Sequence, residues 1–404
     1  MKICFRKPNY VLWASLFVIA LFANACRQDK TTPPQGKEKP TMELVREITV
    51  SKDDIQRRLS SPNQRISDIL PIINSLLVKV YKVTYPTTDI DGQPITASGL
   101  MLIPNGEENP SLISFQHGTL TDPLGAPSLY TPGTLLTNYG PIVAALGYVV
   151  IAPDFLGYGS TSNIEHPYQH AGTLASATKD MIDATKILLK EKNINWDGKL
   201  YLSGYSEGGY ATMAAYKLLE QKYPNQYNIR AVTCGAGAYD ITNTAKYVLS
   251  NNKDIDTFFV QTYAWTLTTI NRAEHINRPL NQLFNAPYDT ELATKPIFKT
   301  VVPANPTLLF SQPFKDGIFN GTDHQFLNAF EKNNLYDWTP QRPILLLHAD
   351  GDKHVPLLNY YNTVSKFISN GVPHLSKDII VGKDHPGAIP DYIVRSVFFF
   401  LTNP

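Results

Sequence analysis

From about residue 78 onward, short apolar runs alternate with segments of helical periodicity, and this alternation restricts the fold more than any other feature. Helical spacings of three and four occur, for example, from Leu174 to Leu188 and from Tyr210 to Leu218. Strands that alternate with helices predict right-handed crossovers, and therefore an α/β fold with a doubly wound, mostly parallel sheet. Six runs are apolar throughout, as in strands covered on both faces: SLISF (111–115), YVVIA (148–152), KLYLS (199–203), IRAVTC (229–234), PILLLH (343–348) and DIIV (378–381).

The alternation is interrupted at two places. Before the apolar runs, VKVYKVTYPT and ITASGLMLIP flank Asp91-Gly92, which predicts an antiparallel pair joined by a tight turn. Between about 241 and 338 the sequence is polar-aromatic and mostly helical, without a convincing buried strand. We expect this segment to be a helical cap inserted between core strands; a peripheral helical decoration is the alternative. The core would then lie in two parts, 42–240 and 339–404, with the cap at 241–338.

The first 25 residues have the pattern of a secretory signal peptide. Basic side chains form a positive start, an apolar run follows over roughly 11–22, and Ala23-Asn24-Ala25 fits a small-x-small cleavage site. The apolar run is shorter than the roughly 20 residues that a membrane-spanning helix needs. We therefore expect residues 1–25 to be removed and the protein to be exported.

Cys26 directly follows the predicted cleavage site, as the lipidated cysteine does in a bacterial lipobox. Ala23 departs from that pattern, because this position is usually Leu. Simple cleavage after Ala25, with Cys26 left unmodified, is the alternative. The residues that follow are rich in Pro, Lys and Thr, so 26–41 is predicted to be a lipidated cysteine and a flexible tether. A lipid anchor on Cys26 would hold the protein at the cell envelope; otherwise it is secreted.

Composition excludes several classes of function. The formal net charge is +1 and basic residues form no run, so a nucleic-acid partner is not expected. The sequence holds no cysteine cluster, no H-E-x-x-H and no phosphate-binding glycine loop, so we expect neither a metal nor a cofactor. Cys234 lies in an apolar run and is predicted to be a buried strand residue rather than a nucleophile.

GYSEGG (204–209) follows the run KLYLS and opens a helical pattern. This is the context that G-x-S-x-G requires, since its serine lies on a sharp turn between a strand and a helix. The helix N-terminus at Ser206 favours negative charge. Ser206 is therefore the candidate nucleophile rather than a serine in an ordinary turn.

A serine hydroxyl needs a base to take its proton, and the base needs a carboxylate to orient it. His385 lies four residues beyond the last apolar run, at the carboxyl end of a predicted strand. Two aspartates follow PILLLH; Asp352 is preferred as the carboxylate, whereas Asp350 next to Gly351 is expected to shape the turn. The chain order Ser206, Asp352, His385 is the order that the predicted fold demands.

The backbone beside Ser206 is expected to bind an oxyanion. One predicted donor is the N–H of Glu207, directly after the nucleophile. The second lies in the loop after SLISF, where Thr119 is preferred and Gln116 and Leu120 are alternatives. His117 is expected to hold this loop rather than to transfer protons. The substrate-binding residues are predicted to be His117, Gly118 and Tyr205.

Over roughly residues 80–404 the chain resembles the α/β-hydrolase superfamily, and more narrowly the secretory lipase and esterase group, whose members carry a helical cap between the sixth and seventh core strands. The resemblance implies that Ser206, Asp352 and His385 form the triad. It also implies that Asp154 and Tyr158 lie in a loop beside the pocket, as structural residues. The motifs that carry it are FQHGT (115–119), APDFLGYGST (152–161), HPYQHAG (166–172), SGYSEGGYA (203–211), NNLYDWTP (333–340), HADGDKHVP (348–356) and DHPG (384–387).

Together these observations predict a cofactor-independent serine hydrolase that cleaves a small-molecule or lipid carboxylic ester through an acyl-enzyme. Two alternatives have different sequence requirements. A dipeptidyl or prolyl peptidase on the same fold would usually carry a large propeller, and the residues before 80 are too few for one. A ligand-binding lipoprotein without activity would be expected to lack a triad member, whereas all three are present in order.

Overall fold

The computed structural model describes Met1, residues 39–59 and residues 77–404, and its central feature is one nine-stranded sheet. The predictions for residues 1–25, for Cys26 and for the tether up to residue 38 lie outside the described residues. Across the sheet the strands follow the order β1-β2-β3-β5-β4-β6-β7-β8-β9. Their bounds are β1 Thr41–Thr49, β2 Leu77–Thr88, β3 Pro94–Pro104, β4 Ser111–Gln116, β5 Tyr148–Pro153, β6 Lys199–Tyr205, β7 Asn228–Gly235, β8 Ile344–Ala349 and β9 Leu375–Ile380.

The six strands β4 to β9 pair in parallel, whereas β1, β2 and β3 pair antiparallel with their neighbours. The sheet is therefore mostly parallel, as expected. Strands β2 and β3 form the predicted hairpin, in which the Asp89 carboxylate accepts hydrogen bonds from the N–H groups of Asp91 and Gln93. Strands β4, β6, β7, β8 and β9 pair in parallel, so their carboxyl ends share one edge. The segments that directly follow β4, β6, β8 and β9 contain all of the predicted triad and oxyanion residues.

Helices cover both faces of the sheet, which explains why the central strands are mainly apolar and do not alternate. Helices α3, α4 and α11 pack on one face, and α2 and α12 on the other. Cys234 lies fully buried in β7, and burial raises the pKa of its thiol well above the usual value. The helices outside the cap are α1 Lys52–Leu59, α2 Leu135–Ala145, α3 Ala171–Glu191, α4 Glu207–Lys222, α11 Leu358–Ser369 and α12 Ile389–Leu401.

The two outer strands differ from the sequence-based expectation. Strand β1 was not anticipated, because most of its side chains are exposed and the run carries no buried pattern. The prediction that DIIV is covered on both faces is wrong, since the middle residues of β9 are exposed and, in the described part of the chain, β9 pairs only with β8. Lys377 and Asp378 on β9, and a bulge between Leu44 and Arg46 on β1, are features that discourage pairing with another chain.

The segment between β7 and β8 is helical, and this confirms the predicted insertion between core strands. Its α6 helix contacts the loop after β8, where the Tyr263 hydroxyl donates to the carbonyl of His354 at 2.7 Å. The insertion therefore reaches the edge of the sheet where the predicted site residues lie. Its helices are α5 Ile241–Ser250, α6 Thr257–Ala273, α7 Tyr288–Thr294, α8 Pro306–Leu309, α9 Gln312–Phe319 and α10 His324–Lys332.

Candidate active site

Ser206 lies between β6 and α4 in a strained backbone conformation, with φ +61° and ψ −126°. The glycines around it make this turn sterically feasible. A Cβ at Gly204 would collide with the backbone oxygen of Gly208, and one at Gly208 with that of Gln116. These contacts bring β4, β6 and α4 so close that only glycine fits at either position.

Ser206, His385 and Asp352 form one continuous line of hydrogen bonds. Ser206 Oγ lies 2.8 Å from His385 Nε2, and His385 Nδ1 lies 2.6 Å from Asp352 Oδ2. An ionised carboxylate can only accept, so Nδ1–H donates to Asp352 and Nε2 is left to accept from the serine hydroxyl. All three side chains are buried or nearly so, although they come from distant parts of the sequence.

The carboxylate of Asp352 is held ionised by its surroundings. Burial raises its pKa, but hydrogen bonds from His348 and His385 outweigh that effect and keep the pKa well below the usual range. Its other oxygen, Oδ1, accepts from the N–H groups of His354 and Val355 at 2.8 and 2.9 Å. Asp352 is therefore fixed in position as well as in charge.

His348, which sequence reasoning did not single out, is a second imidazole on Asp352. Its Nε2 lies 3.3 Å from Asp352 Oδ2 and 3.1 Å from the carbonyl of Val355. Both neighbours are acceptors, so Nε2 carries the proton. The only sequence signal was its position at the end of β8, four residues before Asp352.

Asp350 lies in the turn and does not approach His385. Its carboxylate accepts from the N–H of Gly382 at 2.7 Å and so joins the end of β8 to the end of β9. This placement agrees with the expected turn-shaping role.

The loop after β4 passes close to Ser206. A Cβ at Gly118 would lie 3.6 Å from the Ser206 Cβ. The ring nitrogens of His117 lie 2.7 Å from the carbonyl of Gly118 and 3.0 Å from that of Asp154, so this side chain holds the loop. The Thr119 hydroxyl is 2.9 Å from the hydroxyl of Tyr168.

Tyr205 contacts His385, the candidate base, and helps to hold it in position. Its hydroxyl donates to the carbonyl of His385 at 2.7 Å, and the two rings lie 5.1 Å apart. Tyr205 is buried and, like His117 and Gly118, does not line the apolar cavity described next. The substrate-binding role of these three residues therefore stays a prediction. We expect their backbone groups, and not their side chains, to contact the substrate.

An apolar cavity lies between the core and the helices of the insertion. Tyr168 and His354 line it, and His354 also contacts the His385 ring at 4.8 Å between centroids, so the cavity adjoins the hydrogen-bonded line. The rest of its wall is mainly apolar and includes Val248, Leu249, Leu267, Phe310, Phe314 and Phe330.

His354 is a neutral wall residue of this cavity. Its ring stacks on Phe259 with 4.2 Å between centroids, and its Nε2 lies 3.3 Å from the Thr262 hydroxyl. Burial, reinforced by the charge of His385, lowers its pKa to about 3. An uncharged ring at this position keeps the cavity apolar and does not compete with His385 for Asp352.

Among the described residues, no group of three or more His, Cys, Asp and Glu side chains is placed to hold a metal ion. In the same part of the chain, none of the helices combines the length and the apolar character needed to cross a bilayer.

Comparisons with known proteins identify the family. The model of the secretory lipase family matches residues 139–386, which is more than half of the chain. No curated protein matches this chain.

Solved structures are similar over most of the chain. A candidate hydrolase from Legionella pneumophila is 26% identical, over 90% of this chain and 98% of that one, with a TM-score of 0.77. The rice cell wall degrading esterase LipA from Xanthomonas oryzae is 23% identical, over 90% and 96%, with a TM-score of 0.68. Lipase A from Candida antarctica is 18% identical, over 90% and 83%, with a TM-score of 0.57. The resemblance read from the sequence is confirmed: the chain belongs to the secretory lipase family and is a carboxylic ester hydrolase with the α/β-hydrolase fold.

Proposed function

We propose that this enzyme cleaves its ester through Ser206 as nucleophile, His385 as general base and acid, and Asp352 as the carboxylate that orients His385. The observation that carries the proposal is the continuous hydrogen-bonded line from Ser206 Oγ through His385 to Asp352. Nucleophile, base and orienting group stand within hydrogen-bond reach in the order that triad chemistry requires.

In the proposed reaction, Ser206 Oγ attacks the ester carbonyl while its proton moves to His385 Nε2. The tetrahedral oxyanion collapses, the bond to the alcohol oxygen breaks, and His385 returns the proton to that oxygen. Water then attacks the acyl-enzyme and gives a proton to His385. The bond between the acyl carbon and Ser206 Oγ breaks, His385 returns the proton to Oγ, and the acid is released. Asp352 stays ionised throughout and stabilises the imidazolium that forms at each proton transfer.

The oxyanion is proposed to bind between two backbone N–H groups. The N–H of Glu207 is the first of α4, and the first N–H groups of a helix have no partner within it. The second donor is proposed to be the N–H of Thr119, in the loop that approaches Ser206 at Gly118. These donors belong to different elements, α4 and the loop after β4, so their spacing depends on how the two are held together.

We expect the apolar cavity to receive the acyl group. Ala245 on α5 lines it, so the change Ala245→Phe should shorten the accepted chain. The kcat/KM for p-nitrophenyl palmitate should fall at least about tenfold, and that for p-nitrophenyl acetate less than about threefold. Ala293→Phe, at an exposed position of α7, is the matched control and should leave both unchanged. An unchanged palmitate-to-acetate ratio in Ala245→Phe would exclude this cavity as the acyl site.

Covalent labelling tests the proposed nucleophile. A fluorophosphonate should react with the purified enzyme, and peptide mass spectrometry should locate the adduct on Ser206. An unlabelled protein would favour the non-catalytic alternative. Release of nitroaniline from an Xaa-Pro-nitroanilide, with p-nitrophenyl esters untouched, would instead favour a peptidase.

We further propose that residues 1–25 direct export, that Cys26 is acylated, and that 42–240 and 339–404 form the core beneath the cap at 241–338. The sequence pattern before Cys26 and the helices between β7 and β8 support this division. In bacterial cells that express the protein, it should sediment with membranes and incorporate labelled palmitate. Cys26→Ser should move it to the soluble fraction without label. Wild type that stays soluble and unlabelled would contradict the anchor.

A further inference from the structure

Glu207 and His166 form a buried acid–imidazole pair that the proposed triad does not use. Glu207 Oε1 lies 2.7 Å from His166 Nε2, and both side chains are almost fully inaccessible. His166 Nδ1 is 2.6 Å from the carbonyl of Leu156, which can only accept, so Nδ1 carries a proton. The pair therefore shares one further proton, as imidazolium and carboxylate or as imidazole and carboxylic acid. Removing either partner would leave the other buried without its bond, which is strongly unfavourable.

Aromatic rings enclose this pair. The His166 ring packs against those of Tyr158 and Trp265, with centroids 4.7 and 5.4 Å apart. Burial and the charge of Glu207 raise the pKa of the Tyr158 hydroxyl well above its usual value, so that hydroxyl remains a neutral donor. In such surroundings a hydrogen bond is stronger than in water and more costly to lose.

The segment that carries His166 also holds the loop after β4. Three hydrogen bonds join the segment 154–168 to the loop 117–120. The carbonyl of Asp154 lies 3.0 Å from His117 Nε2, and the hydroxyl of Tyr158 donates to the carbonyl of Leu120 at 3.2 Å. The hydroxyls of Tyr168 and Thr119 lie 2.9 Å apart. The same segment is tied through His166 to Glu207, the first residue of α4. It thus bridges the two elements that would supply the oxyanion donors.

We propose that the Glu207 side chain is a positioning residue, which through His166 sets the distance between the two oxyanion donors. One residue then has two tasks: its N–H faces the developing charge, and its carboxylate fixes the loop that carries the other donor. This inference rests on the proposed function, because it presupposes that Ser206 is acylated.

The variant Glu207→Leu tests this proposal, because it removes the hydrogen bond to His166 and keeps the backbone N–H of residue 207. Because loss of one oxyanion donor lowers kcat about 10²- to 10³-fold, displacement of a donor should lower kcat about 10- to 100-fold. KM should change less than about threefold, and activity should be expressed per site titrated with fluorophosphonate, so that misfolded protein is not counted. Glu207→Gln preserves a hydrogen bond to His166 and should stay within about threefold of wild type.

Glu220→Leu is the matched control on the same helix, where a partly buried Glu accepts from the N–H of Gln341 at 3.0 Å. It should lower the melting temperature without changing kcat per titrated site. The double variant Glu207→Leu/His166→Phe should lower kcat per titrated site about as much as either single variant, because both substitutions remove the same hydrogen bond.

Wild-type kcat per site in Glu207→Leu would overturn the inference, and so would a Glu207→Gln variant as defective as Glu207→Leu. Either result leaves the proposed function standing if Ser206→Ala is inactive. Full activity in Ser206→Ala would instead remove the proposed function itself.

Discussion

Ser206→Ala is expected to lower kcat for p-nitrophenyl butyrate by at least about three orders of magnitude. The variant lacks the oxygen that forms the acyl-enzyme, and His385 is left without the hydroxyl that lies 2.8 Å away. Alanine has the same Cβ as serine, so the strained turn at φ +61° should survive and the melting temperature should change little. Activity and thermal unfolding, measured on the same preparation, would separate lost chemistry from lost fold.

Ser203→Ala is the matched control for this experiment. Ser203 lies in β6, the strand that leads to Ser206, and its hydroxyl is 2.9 Å from that of Tyr392, so its loss should cost stability rather than activity. If Ser206→Ala kept its turnover while Ser203→Ala lost it, the proposed nucleophile would be wrong.

Asp352→Asn is expected to lower kcat about 10⁴-fold, the size of effect seen when this change is made in a serine protease triad. The amide would present an N–H where His385 Nδ1 now donates, and so favour the tautomer that carries its proton on Nε2. That tautomer cannot accept the proton of Ser206. KM should change little, because Asp352 does not line the cavity.

Asp350→Asn is the matched control, two residues away in the same turn. Its carboxylate accepts only the N–H of Gly382 in the described contacts, and an amide oxygen can replace it there. We expect kcat within about threefold of wild type. A larger loss in Asp350→Asn than in Asp352→Asn would transfer the orienting role to Asp350 and contradict the geometry.

The central strands could be predicted from the sequence because burial on both faces leaves a local trace. Strand β6 is buried almost throughout, and GYSEGG spans its end, the turn at Ser206 and the start of α4. Strand β1 left no such trace, since most of its side chains are exposed and, among the described residues, β2 is its one neighbouring strand. Strand β9 misled in the opposite direction, because two consecutive isoleucines suggested a buried strand where the sheet ends.

The site residues at the strand ends could also be predicted from the sequence, because parallel strands bring their carboxyl ends to one edge of the sheet. That rule led to Ser206, Asp352 and His385, which the structure places in hydrogen-bond contact. It could not lead to His166, whose partner Glu207 is 41 residues away and whose position depends on loop packing. The cavity was equally hidden, since its wall combines helices of the insertion with loops of the core.

The exposed position of β9 has a consequence for how the enzyme loses activity. His385 follows this strand, which within the described residues has a neighbouring strand on one side only. Its loop is held by hydrogen bonds such as that from the Tyr205 hydroxyl. Local opening of that edge would withdraw the base while the inner parallel strands stay paired. We therefore expect activity to be lost before the inner strands unfold.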